Sequence, residues 1–197
     1  MPNLLQHELF RSGKRILLSA IAAGIAAAPA AFGNLLEDPS FDSYPNGRFD
    51  YWTIAPKPNV DGITSLGTAS QDLDGGYPNG ANAIKFTFSG SGKYTLVAKG
   101  TLPLEPGRKY RLTVHARSSG EPVKVRTEVR PRATGQRERT RTISLNFNPG
   151  TEWQKETTEW LAAENEIGVD LVFYLENASP SEATIWLDEI TIDPIDG

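Results

Sequence analysis

The chain has no cysteine, two histidines and a single methionine in 197 residues. The missing cysteines exclude disulfide staples, thiol catalysis and Cys-ligated metals. One histidine, His7, falls in the N-terminal leader, which leaves His115 as the one imidazole of a mature chain and disfavours zinc sites and paired-histidine acid–base chemistry. Catalytic signatures are missing too: there is no phosphate-cradling glycine loop, no G-x-S-x-G elbow and no H-E-x-x-H. Beyond the leader no segment has a convincing amphipathic-helix period. No fixed-length repeat, coiled coil or low-complexity tract is visible.

What is present is an ordinary globular composition, 39% hydrophobic and 22% charged, with 18 glycines and 14 prolines that call for many turns. Residues 1–33 differ in kind from the rest. Arg11, Lys14 and Arg15 precede an apolar, alanine-rich run from Ile16 that ends in small residues, the pattern of a signal peptide cut after Ala30 or Gly33. An uncleaved anchor is the alternative, although a run of about 17 residues is short for a span. The expectation is therefore a secreted or cell-surface protein whose folded domain covers residues 34–197. Removing the leader takes away three basic side chains and one acidic one and moves the formal charge from −4 to −6. Neither nucleic acid nor, after cleavage, membrane is an expected partner.

Period-two alternation dominates the remainder. Strands are expected at Asn34–Phe41, Ala83–Phe88, Lys93–Val97, Lys109–Arg117, 123–130, Thr142–Phe147, Trp153–Trp160, Val169–Glu176 and Ala183–Asp193, with Pro131 ending the fifth. Eight to ten short antiparallel strands close as an all-β sandwich or jelly roll. The last strand has a fault in its pattern. Ile185 and Leu187 share one parity while Ile190 and Ile192 take the other, so Asp188-Glu189 must absorb an extra residue as a bulge. Asp188, with Asp38 and Asp42 from the start of the domain, would supply the hard oxygens that Ca²⁺ requires; alternatively these acids only solvate a sheet edge.

Three motifs carry a resemblance. Asn34-Leu35-Leu36-Glu37-Asp38-Pro39-Ser40-Phe41-Asp42 followed by Trp52, then Leu104-Glu105-Pro106-Gly107-Arg108-Lys109-Tyr110-Arg111-Leu112, then Ile185-Trp186-Leu187-Asp188-Glu189-Ile190 occur in order across nearly all of the chain after residue 33. Together they resemble the jelly-roll carbohydrate-binding modules of the family 4, 9, 16 and 22 group. That resemblance implies a β-sandwich with a structural Ca²⁺ near the domain termini and a sugar-binding concave face. Asp42 stands where the family usually has Glu, Glu189 where it often has Asp, and the basic block over residues 124–141 matches no family motif.

Sugar recognition needs rings for the C–H faces of a pyranose and planar polar groups for its hydroxyls, all on one exposed face. Tyr174 and Glu176 meet that need on one strand, and they resemble the Tyr-x-Glu pair lining the concave face of some such modules. Arg126 and Glu128, with Arg111 and His115, are expected to complete the floor, and Trp186 to be exposed as well. Trp52, Trp153 and Trp160 are expected in the core or at sheet edges. The basic block reads either as a solvated strand face or as a surface drawn to an anionic polysaccharide. The expected function is non-catalytic polysaccharide binding. Two alternatives stand beside it: a self-associating surface or matrix protein, and a jelly-roll polysaccharide lyase using Arg111, His115 and Tyr174.

Overall fold

The period-two alternation makes strands of most of the chain beyond residue 51, as the computed structural model shows over the residues it describes, 33–57, 67–78, 82–136 and 138–196. The expected leader lies outside the described residues, Gly33 excepted. Eleven strands occur among them: Trp52–Lys57 (β1), Thr68–Asp72 (β2), Ala83–Phe88 (β3), Gly92–Ala98 (β4), Leu102–Pro103 (β5), Lys109–Gly120 (β6), Val123–Ala133 (β7), Ile143–Phe147 (β8), Gln154–Leu161 (β9), Glu166–Asn177 (β10) and Ala183–Ile195 (β11). They form two antiparallel sheets, as expected. The front sheet runs β1-β4-β10-β7-β8, with β5 pairing further along β10, and the back sheet runs β2-β3-β11-β6-β9.

Alternate residues of each sheet meet between the layers. Leu96, Leu171, Phe173 and Leu175 from the front sheet pack toward Phe86, Leu112, Val114, Ile185 and Leu187 from the back one, all without exposed surface. Burial of this apolar area is the main driving force of the fold, at about 25 cal/mol per Å² removed from water. Trp52 and Trp160 belong to this core. Trp153 is half-buried outside it.

The bulge in β11 is present where the parity break requires it. Asp188 pairs with His115 and Thr191 with Thr113, three steps on β11 against two on β6, and Glu189 takes a φ of +44° to make room. Leu187 and Ile190, of opposite parity, are consequently both fully buried.

Two expectations about elements need correction. Asn34–Phe41 is not a strand but a run of bends and turns, because Asp38 and Phe41 both have a φ of +56° that no strand accommodates. The segment still fastens to β11: Leu35 N–H donates to the Ile192 carbonyl, Ile190 N–H donates to the Pro39 carbonyl, and Asn34 Oδ1 accepts the N–H groups of Leu36 and Ile192. Nor does Pro131 end β7, which continues to Ala133. The Pro131 carbonyl accepts the Thr140 N–H on the side where β8 has already stopped, so the missing Pro N–H faces that side and the ladder to β10 loses nothing.

Candidate functional site

The antiparallel register carries outward-facing residues of the front sheet into rows. Tyr174 on β10 lies opposite Thr95 on β4 and Arg126 on β7, and Arg126 lies opposite Asn146 on β8. The next row places Glu176 between Lys93 and Lys124. These two rows floor a groove of about 620 Å³. Tyr174, Glu176, Arg126 and Glu128 therefore share one face, as the alternation on β7 and β10 predicts.

Its electrostatics centre on Glu128, which is nearly buried and accepts from Arg130 at 2.6 Å, with Arg126 at 3.4 Å and Arg139 at 3.8 Å around it. Arg130 also donates to the Tyr174 hydroxyl at 2.5 Å. The Arg126 guanidinium sits over the Tyr174 ring, 4.5 Å from its centroid, a cation–π contact that presents a Tyr–Arg stack to the groove. Glu176 pairs with Lys93 at 3.0 Å, and both are exposed enough for the pair to contribute little to stability. Beyond Arg130, Arg132 pairs with Asp170, and with Arg139 these residues border a second recess of about 450 Å³.

Arg111, His115 and Trp186 are not part of this floor. All three stand on the outer side of the back sheet, the far face of the sandwich from Tyr174, because β6 and β11 pair with each other and not with β7 or β10. Arg111 is spent on Glu159, which it meets at 2.6 Å. His115 is buried under the Tyr77 ring, stacked 4.0 Å away. Burial holds its pKa below the ordinary histidine value, against a hydrogen bond to the Glu189 backbone that opposes the shift. Trp186 is half-buried, with the Arg117 guanidinium 4.4 Å over its ring and its Nε1–H donated to Asp72. The Arg–His–Tyr set expected of a lyase is thus divided between opposite faces.

The three acids expected to bind metal are placed together only in part. Asp38 turns its carboxylate onto the N–H groups of Asp42 and Ser43, shaping the turn that follows. Asp188 is fully buried at the bulge, accepting from the Tyr77 and Glu189 N–H groups. Burial first, and then the charges of Glu189 and Asp42, push its pKa up to about 7 against those two hydrogen bonds. Among the described residues no Lys or Arg pairs with Asp42 or Asp188. Among the described residues no group of three acidic or histidine side chains gathers there to hold a metal by side chains alone. Asp42 accepts from the Asn82 side-chain amide at 2.6 Å.

Lys93, Asn146 and Asn148 join the groove face without having been singled out for it from the sequence, while Arg130, from the basic block, reaches it through Tyr174. Asn146 was findable, since it alternates with Leu145 and Phe147; the others needed the strand order.

Two antiparallel sheets in this order constitute a jelly-roll β-sandwich. No family model matches the chain, and no curated protein matches it in sequence. The solved structures it resembles include the module TmCBM61 in complex with beta-1,4-galactotriose, at 17% identity and a TM-score of 0.57 over 82% of this chain and 99% of that one. A family 16 carbohydrate-binding module is similar at 16% identity and a TM-score of 0.52, over 81% of this chain and 99% of that one. The enzymatically active domain of tailspike protein 4 from bacteriophage CBA120 is similar at 13% identity and a TM-score of 0.64, covering 82% of this chain. The chain spans 21% of that tailspike domain's length. At these identities the likeness establishes the fold.

Proposed function

We propose that this protein is a secreted, non-catalytic carbohydrate-binding module that takes polysaccharide on the outer face of its front sheet. The observation that carries the reading is the sharing of one grooved surface by Tyr174, Glu176, Arg126 and Asn146. A ring for the apolar side of a pyranose lies there with the Arg126 guanidinium one strand away, the Asn146 amide two strands away and the Glu176 carboxylate two residues along the same strand, all groups that serve hydroxyls. The TmCBM61 structure, with a galactotriose bound on a sandwich of the same fold, supports the reading. The reading includes Asp42 and Asp188 as the side-chain ligands of a structural Ca²⁺, whose charge would neutralise two acids close enough to repel.

The test is calorimetric titration of a polysaccharide panel with the parent protein and Tyr174→Ala. The parent is expected to bind at least one polymer and the variant to lose about tenfold in affinity, the worth of one stacked ring and its hydroxyl. Undiminished binding by Tyr174→Ala would remove the groove from consideration.

A further inference from the structure

The front face is cationic on a chain whose formal charge is −4. Lys93, Lys124, Arg126, Arg130, Arg132 and Arg139 line its two recesses against four carboxylates, Glu128, Glu138, Asp170 and Glu176. Some of these cations are committed internally: Arg130 to Glu128 and Tyr174, Arg132 to Asp170. Others are not. Arg126 and Arg139 are each more than half exposed and reach Glu128 only at 3.4 and 3.8 Å, and Lys124 has no ion pair among the described residues. A guanidinium offers five N–H donors in one plane, so Arg126 and Arg139 keep most of theirs available.

We propose that the polysaccharide bound here is acidic, its carboxylate or sulfate groups meeting Lys124 and Arg126 at one recess and Arg139 at the other. This rests on the carbohydrate reading above. Desolvation decides for an acidic polymer over a neutral one. A neutral chain laid on the Tyr174–Arg126 stack strips water from Arg126 and Lys124 and returns no counter-charge, whereas an acidic chain replaces that water with charge-assisted hydrogen bonds. Glu128 shows that a carboxylate already suits the space between these guanidinium groups. Extent agrees as well: Lys124 to Arg132 covers about 26 Å of strand at about 3.3 Å per residue, room for several sugar units and more than one acid group.

The test is titration with polygalacturonate and alginate as uronate polymers, heparin as a sulfated one, β-1,4-galactan and mixed-linked glucan as neutral ones, and single-stranded DNA as an acid without sugar-acid chemistry. Binding to a uronate or sulfated polymer is expected to weaken about tenfold or more between about 0.05 and about 0.5 M salt. The two acidic arms tell which acid group is read. The double variant Lys124→Ala/Arg126→Ala is expected to lose about tenfold more affinity with its melting midpoint unchanged, both side chains being exposed. Binding to neutral polymers only, salt-indifferent binding, or equal affinity for DNA overturns the inference and leaves carbohydrate binding or a general polyanion surface in its place. Binding to none of the glycans overturns the carbohydrate reading itself.

Discussion

Glu166 shows how much a single carboxylate contributes away from the groove. Its side chain is almost wholly buried and accepts from Arg141 at 3.0 and 3.1 Å, from the Thr140 hydroxyl at 2.5 Å and from the Ala163 N–H at 2.9 Å. Burial alone would raise its pKa, but these donors outweigh burial and hold it below the ordinary glutamate value. The sign follows directly. The stabilisation is complete above the unfolded-state pKa of 4.5 and is lost as pH falls through it toward the lower folded value. The melting midpoint is therefore expected to drop on acidification through pH 4.5, and Glu166→Ala to cost about 3 kcal/mol at neutral pH and to flatten that drop. An acid limb as steep in the variant as in the parent would contradict this. None of it was legible in the sequence, where Thr140, Arg141 and Glu166 are loop or strand-end residues without a pattern. Tyr174 and Glu176 were legible, because alternation on one strand decides which side chains look outward.

β11 is the element whose local pattern said most. Its parity break located the bulge, and the bulge explains both the buried Asp188 and the attachment of residues 34–39 alongside. The calcium proposal is tested at this element. Chelator is expected to lower the melting midpoint and added Ca²⁺ to restore it, by about 2.7 kcal/mol at a hundredfold excess over its dissociation constant. Asp188→Asn, whose amide can accept from only one of the Tyr77 and Glu189 N–H groups, is expected to ignore Ca²⁺. A parent midpoint indifferent to chelator would sink the site. Elements that the sequence hid were those with little apolar alternation: β1 and β2, flanked by turn-rich chain, and the two-residue β5. Pro131 misled because a proline stops a strand only where its N–H is needed by a neighbour, and β8 ends before that point.

The sandwich as a whole has two unlike outer faces, and this is where reading from sequence fails for a physical reason. Parity tells whether a side chain points into the core or out of it, but both sheets have an outside, and only the pairing of strands far apart in the chain assigns β6 and β11 to one and β7 and β10 to the other. Arg111, His115, Trp186 and Tyr174 were all correctly outward and yet cannot act together. Three motifs in order were enough to suggest the jelly roll, since they sample its first turn, a middle strand and its last strand. The central claim is that ligand binds the front face. Amide chemical-shift mapping during titration with the polysaccharide that binds best tests it most directly. Shifts are expected to concentrate at residues 93–97, 124–130, 144–148 and 172–176, with 111–117 and 184–186 unmoved. Shifts gathered instead around His115, Arg117 and Trp186 would contradict it.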